Sequence, residues 1–169
     1  MDYKAAVITV SDRCFAGKRE DKSGPAVTQM LEEAGFKVIY HGLVPDERHE
    51  ISAEFIKCAY ELECDLIISV GGTGFDKRDI TPEATRDVIT REILSIPQAM
   101  LHYSLNITPR AMLTRGVAGI RGKSLIINLP GNESGAKQNL SAIIDVLDHA
   151  LQMIARSEGS VSIVGVEQK

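Results

Sequence analysis

Residues 69–85 read SVGGTGFDKRDITPEAT. The run Gly71-Gly72-Thr73-Gly74 is almost free of side chains. Glycine reaches positive φ and lacks a Cβ, so its amide N–H groups can approach phosphate oxygens closely. Thr73 adds a hydroxyl donor. The run is neither a Walker loop nor a G-x-G-x-x-G fingerprint, so a tight turn between strand and helix stands beside phosphate binding as its reading. Asp79 follows Arg78 and precedes TPEAT, where Thr81 is a natural N-cap and Pro82 suits the first helical position. With Thr81 as the cap, Asp79 is free to face a cleft. A carboxylate among phosphates repels them unless a cation intervenes. Mg2+ takes one or two carboxylates together with phosphate oxygens and water.

A second acid fits the same chemistry. Asp46, in VPDE, reads either as a helix N-cap or as a partner of Asp79 at a divalent ion bound with phosphates. Two further loops carry glycine just before a helix start: Asp21–Pro25 (DKSGP) and Asn128–Asn132 (NLPGN). Each also reads as a simple turn or cap. Helix N-termini offer unpaired N–H groups to anions. Several of them along one edge fit a nucleotide or another polyphosphate.

Whether these loops meet depends on the elements between them. AAVITV (5–10), KVIYHGLV (37–44), DLIISV (65–70) and SLIINL (124–129) are nearly continuous apolar runs rich in Val and Ile. That pattern belongs to strands covered on both faces, as in a parallel sheet. Helical patterns separate them. Residues 24–35 run from Pro25 near the start to Gly35 at the end. Residues 46–63 open at Asp46 and repeat Ile51, Phe55, Cys58, Ala59 and Leu62 at helical spacing. Residues 81–90 and 97–107 are expected to be helical. So is the single stretch 136–155, with Leu140, Ile143, Ile144, Leu147, Leu151 and Ile154 on one side. Residues 114–123 suggest an extra hairpin strand. The order β-α-β-α-β-α-α-β-α predicts an α/β fold, an open and mostly parallel sheet with helices on both faces. Ligands in such folds bind beyond the carboxyl ends of the strands. That rule gathers the loops after all four strands into one cleft.

The totals bound the answer. A chain of 169 residues, 44% apolar and 25% charged, is one ordinary compact domain. Residues 1–156 read as that domain and 157–169 as a C-terminal tail, whose VSIVGV segment could form an edge strand or pack on a neighbouring subunit. A net charge of −4 argues against a general nucleic-acid binder. Lys77, Arg78, Arg110, Arg115, Arg121, Lys123 and Lys137 nevertheless gather near the glycine loops. Cys14, Cys58 and Cys64 are odd in number and show no C-x-x-C spacing, so neither disulfides nor a zinc site is indicated, and His41, His49, His102 and His149 have no metal-ligand spacing. The opening MDYKAAVITV does not read as a secretory signal, and no run reaches the roughly 18 apolar residues of a membrane span. A cytoplasmic protein is expected, with no membrane or nucleic-acid partner.

The blocks TVSD (9–12), DKSGP (21–25), VPDE (44–47), GGTGF (71–75), RDITPEAT (78–85), ITPRAML (107–113), AGIRG (118–122) and NLPGN (128–132) carry a resemblance. In order and spacing the set closely resembles the MogA/MoaB-like molybdopterin adenylyltransferases, including the G domain of gephyrin. The resemblance implies a three-layer αβα fold and transfer of AMP from ATP to the terminal phosphate of molybdopterin, with release of pyrophosphate. It implies Asp46 and Asp79 as the essential acids and Mg2+ holders. It also implies substrate contacts from Ser11 and Asp12, from Ser23, Gly24 and Pro25, and from Gly71, Gly72, Thr73 and Gly74. Arg78, Arg115, Pro130, Gly131 and Asn132 complete that implied set. A homotrimer and transient docking to a molybdate insertase are implied too. One departure is Glu133, where many relatives carry proline; it adds negative charge beside the PGN loop. Alternative readings are a non-catalytic molybdopterin carrier and a nucleotide-derivative pyrophosphatase.

Overall fold

The computed structural model describes residues 3–160, with side chains described through 157. Its elements are β1 (Lys4–Val10), α1 (Asp12–Phe15), α2 (Ser23–Glu33), β2 (Lys37–Val44), α3 (Arg48–Tyr60), β3 (Leu66–Val70) and α4 (Thr81–Val88). Then follow β4 (Arg91–Glu92), α5 (Ser95–Leu105), a 3-10 turn (Pro109–Met112), β5 (Ala118–Arg121), β6 (Ser124–Leu129), α6 (Glu133–Ser141) and α7 (Ile144–Ser160). One sheet has the order β2-β1-β3-β6-β5-β4. β2, β1, β3 and β6 are parallel, while β5 and β4 are added antiparallel.

Alternate residues of the central strands face opposite layers. Ala5 and Val7 of β1, Leu66 and Ile68 of β3, and Leu125 and Ile127 of β6 pack with Val27, Leu31, Met100, Leu140, Leu147 and Leu151. Ala6, Ile8 and Val10, with Ile67 and Ile126, pack with Ile51, Phe55, Cys58, Ala84 and Val88. Hence α2, α5, α6 and α7 cover one face and α3 and α4 the other, the three-layer arrangement that the continuous apolar runs predicted. Cys58 and Cys64 sit wholly buried; burial pushes their thiols up to about 12 and about 11, so both act as inert apolar groups.

Several expectations change. β2 is an edge strand, with Ile39 and Leu43 exposed. Its apolar content did not reveal that only one neighbour covers it. The expected helix 136–155 is two helices. The Ser141 hydroxyl donates back to the Lys137 carbonyl, and tight bonds run from Ile143 N–H to Leu140 and from Val146 N–H to Ile143. Such back-bonding bends a helix, yet Leu140, Ile143, Leu147, Leu151 and Ile154 stay in one core. The hairpin strand is β5, turning through Gly122 at φ 53°. α7 continues through Ser160, and the VSIVGV segment lies outside the described residues.

The register decides where the site forms. Leu43 pairs with Thr9, Thr9 with Val70, and Val70 with Leu129. Four parallel strands therefore end level, roughly 4.8 Å apart, and release their loops at one edge. The connection leaving β1 runs toward β2 and the one leaving β3 runs toward the opposite edge of the sheet, which makes the β1/β3 boundary the switch point where such sheets open a crevice.

Candidate active site

Backbone bonds stitch the four loops together. Ser11 N–H donates to Val44 O at 3.0 Å, Gly71 N–H to Leu129 O at 3.1 Å, and Thr81 N–H to Gly72 O at 3.1 Å. The Ser23 hydroxyl donates to Gly131 O at 2.8 Å. Contact is close enough that side chains are excluded. Gly71 has φ 111°, and a Cβ there would lie 2.2 Å from Val10 O. Gly72 has φ 65°, and its Cβ would lie 2.3 Å from Thr81 Oγ1 and 3.0 Å from Asp46 Oδ1. Only glycine suits such positions.

Two clefts open on either side of this junction. The smaller, about 190 Å³, is walled by Ser11, Ser23, Arg19, Lys22, Asp46 and Asp79, among others. The larger, about 650 Å³, lies between the glycine loop, the α5–turn segment and the start of α6, and includes Thr73, Asp79, Ser104, Arg110, Thr114 and Asn132. Gly72, Asp79 and Gly131 belong to both. Asp79 thus stands where the two clefts meet.

The acids differ in their surroundings. Asp46 Oδ2 accepts from Asp12 N–H at 2.8 Å, and Asp46 N–H donates to Asp12 Oδ1 at 3.0 Å, a reciprocal tie between the first and second strand ends. Burial raises the Asp46 carboxyl above the ordinary carboxylate range, and the charges of Asp12 and Asp79 add to that; the bond from Asp12 N–H opposes it. Asp79 Oδ2 accepts from Asp76 N–H at 3.0 Å. Asp12 is held low, chiefly by the Arg78 guanidinium, which donates to both its oxygens and also reaches Glu47 at 2.8 Å. Asp46 and Asp79 therefore form, among the described residues, an acidic pair without a hydrogen-bonded cation of its own. Among the described residues no group of three or more His, Cys, Asp or Glu could hold a metal.

Not every expected residue faces the clefts. Asp46 does not cap α3; Glu47 occupies that position, because the Asp46 carboxylate is bonded to Asp12 instead. Thr81 is the first residue of α4, after Ile80, and its Oγ1 is buried without a partner. Gly24 is buried behind the wall of the smaller cleft and lines neither one: a Cβ there would meet His41 Nε2, Thr9 Oγ1 and Asp21 Oδ2 within 2.5 Å. Its N–H donates to Asp21 Oδ1, so it is a packing glycine at a helix start. Pro25 is exposed in the first turn of α2. Arg78 and Asp12 are joined in an ion pair on the rim. Arg115 lines neither cleft, because its guanidinium is bonded to Gly74 O, Asp79 O and Glu83. Asn132 caps α6 through Gly135 N–H while also lining the larger cleft. Glu133 is exposed and points into neither cleft.

Arg19 and Lys22, between α1 and α2, are cations of the smaller cleft that were not among the basic residues singled out from the sequence. Ser104 and Gln138 of the larger cleft carried no signal at all, since each is one polar residue within a helix. Of the basic cluster, Arg110 lines the larger cleft, whereas Arg121 donates to Val88 O and Lys123 pairs with Asp65.

The family described as "Probable molybdopterin binding domain" matches residues 6–149, nearly all of the sheet and its covering helices. The chain belongs to the MogA/MoaB family of molybdenum-cofactor biosynthesis proteins. It is 40% identical to the molybdopterin adenylyltransferase of Helicobacter pylori over 150 residues, which is 88% of this chain and 85% of that one. It is 37% identical to gephyrin of Dictyostelium discoideum over 90% of this chain, but that match spans only 23% of gephyrin. The solved MoaB of Thermus thermophilus superimposes with a TM-score of 0.86 at 42% identity, covering 90% of this chain and 96% of that one. The MogA/MoaB match thus extends across β1, β3 and β6 and all four loops at their ends.

Proposed function

We propose that this protein is a molybdopterin adenylyltransferase. It transfers AMP from ATP to the terminal phosphate of molybdopterin and releases pyrophosphate. The observation that carries this reading is the pair of clefts sharing Gly72, Asp79 and Gly131. Two phosphate-bearing substrates can enter from opposite sides and bring their phosphates together at that wall. The family's named adenylyltransferases support the same reaction.

The chemistry asks little of a base. A phosphate monoester has its second pKa at about 6, so the attacking oxygen is already largely ionised at neutral pH. That oxygen forms a bond to the α-phosphorus, and the bond from the α-phosphorus to the leaving pyrophosphate breaks. The chain's task is alignment and charge neutralisation. Glycine-loop amides and the Ser11 and Thr73 hydroxyls are suited to orienting phosphate oxygens, with Arg19 and Lys22 close by in the smaller cleft. Asp46 and Asp79 would hold Mg2+, and the burial-raised carboxyl of Asp46, facing two other acids, fits a site that takes up a cation. When bound, Mg2+ neutralises charge on the triphosphate. Two carboxylates leave room for phosphate oxygens and water in its shell.

We assign substrate contact to Ser11, Ser23, the Gly71–Gly74 loop, Pro130, Gly131 and Asn132, and a rim role to the Asp12–Arg78 pair. A homotrimer fits the exposed apolar side chains of Leu94, Ile107, Met112 and Leu113 along α5 and the 3-10 turn. The adenylylated product suits hand-over to a molybdate insertase. No helix among the described residues is long and apolar enough to cross a membrane, and a cytoplasmic site of action fits that.

Incubation with ATP, Mg2+ and molybdopterin should release pyrophosphate, and Asp79→Ala should abolish release while leaving assembly intact. Unchanged turnover in that variant refutes the assignment. Hydrolysis of ATP without molybdopterin would indicate a pyrophosphatase, and molybdopterin binding without product would indicate a carrier.

A further inference from the structure

The loop that carries Asp79 is an exposed excursion. Phe75, Asp76, Lys77 and Arg78 are all exposed, and Phe75 is 67% accessible. Its backbone N–H bonds are local: Asp76 N–H to Asp79 Oδ2, Asp79 N–H to Asp76 O, and Arg78 N–H to Asp76 Oδ1, while the Arg78 guanidinium reaches out to Asp12 and Glu47. The local bonds shape the loop, and the Arg78 pairs tie its middle to the rim through side chains that are themselves exposed. Arg115 supplies attachment at both ends. Its Nε donates to Gly74 O at 2.8 Å and its Nη2 to Asp79 O at 2.7 Å. Its Nη1 donates to the Glu83 carboxylate in the first turn of α4, and its own N–H donates to Thr73 O at 2.9 Å. One planar side chain thereby joins the start of the loop, its end and the helix that follows.

We propose that Arg115 is a positioning residue that clamps the Gly74–Asp79 loop and so holds the Asp79 carboxylate at the junction of the two clefts. This rests on the adenylyltransferase reading for its catalytic consequence, but the clamp itself is independent of it. Three features separate it from a phosphate-binding arginine. The guanidinium lines neither cleft. All three of its nitrogens have protein acceptors. Two of those acceptors are the carbonyls that bracket the loop. Glu83 belongs to the device, since its Oε2 is buried without a partner while Oε1 binds Arg115. Burial pushes the Glu83 carboxyl up, and the bond from Arg115 with the surrounding charges more than offsets this, leaving it lowered and ionised. Lysine cannot replace such a fork, because one ammonium nitrogen cannot span three divergent acceptors.

The test uses the full chain with Arg115→Lys and Glu83→Gln. Both are read by pyrophosphate release at varied ATP and molybdopterin and by tryptic cleavage after Lys77 or Arg78. Arg115→Lys keeps the charge and loses the fork. Its kcat should fall on the order of 100-fold, the loss typical of misplacing a catalytic group by about 1 Å, with KM for either substrate within about threefold. Cleavage in the loop should accelerate at least about tenfold, as a loop released from its anchors opens more often. Glu83→Gln weakens the anchor while leaving both loop carbonyls bonded, so it should shift both readouts in the same direction by less. A rise in KM with kcat intact in Arg115→Lys would make Arg115 a substrate contact and overturn the proposal. So would cleavage at the parent rate in both variants. If the parent releases no pyrophosphate but Arg115→Lys is still cleaved faster, the clamp stands and the reading of the reaction falls.

Discussion

Gly72→Ala, paired with Gly17→Ala, tests whether the four loops meet as closely as described. The two glycines have nearly the same φ, 65° at Gly72 and 68° at Gly17. A left-handed alanine costs about 1–2 kcal/mol, offset by about 0.4–1 kcal/mol because alanine restricts the unfolded chain. At Gly17 a Cβ would meet nothing within 4 Å, so the net cost there is about 0–1.6 kcal/mol. At Gly72 the same methyl would lie 2.3 Å from Thr81 Oγ1 and 3.0 Å from Asp46 Oδ1. Thr81 is wholly buried at the start of α4 and cannot simply swing away. Overpacking of this kind adds about 1–3 kcal/mol. A domain of this size loses about 2–4 °C in melting temperature per kcal/mol. Gly17→Ala should then melt at most about 6 °C below the parent, and Gly72→Ala a further ~2–12 °C lower. Pyrophosphate release should persist in Gly17→Ala and fall on the order of 100-fold in Gly72→Ala, since the methyl displaces the Asp46 carboxylate or the helix that follows Asp79. Melting curves by calorimetry and a coupled phosphate assay give both numbers. Equal melting of the two variants would refute the close approach of Gly72 to Thr81 and Asp46.

Asp46 has a raised carboxyl pKa, so the folded protein holds that proton more tightly than the unfolded chain. Its contribution is therefore intact below the ordinary value of 3.8 and is lost as pH rises through the folded value. Asp46→Asn should melt higher than the parent at pH 7, with the difference shrinking below the carboxylate range, while activity is lost; a lower melting temperature at pH 7 would contradict the cause assigned. Mg2+ added with ATP should raise the melting temperature of the parent more than that of Asp46→Asn, and equal shifts would remove Asp46 from the metal site. Asn128 accepts from Val117 N–H and donates to Ser69 Oγ and Thr85 Oγ1 beneath the site. Asn128→Ala leaves Val117 N–H and Ser69 Oγ without these bonds, while Thr85 Oγ1 keeps its bond to Thr81 O, and should cost about 1–3 kcal/mol, read by denaturant unfolding; a loss under about 0.5 kcal/mol would show the network to be dispensable.

Much of the frame was legible because its strands are buried on both faces. AAVITV, DLIISV and SLIINL are continuous apolar runs, and β1, β3 and β6 have neighbours on both edges and helices on both sides. KVIYHGLV looked the same, yet β2 lies at the sheet edge, because apolar content does not report strand order. β4 was invisible, since two exposed residues, Arg91 and Glu92, carry no period. The strand-end rule brought Asp46 and Asp79 to one cleft without any knowledge of side-chain direction. It could not tell which residues near that edge face the ligand. Gly24 looked like a phosphate cradle and is a packing glycine, because its neighbours His41 and Thr9 come from other strands. Arg115 looked like a phosphate contact. Its partners, Gly74, Asp79 and Glu83, lie more than thirty residues away in sequence, and only the folded chain unites them.

The central claim is that two substrates occupy separate clefts and meet at Asp79. Calorimetric titration of molybdopterin into protein saturated with Mg2+ and an ATP analogue whose α–β bridge is methylene tests it most directly. Molybdopterin should bind fully to the saturated protein, one per chain, with affinity little changed by the analogue. Mutual exclusion of the two ligands would contradict it.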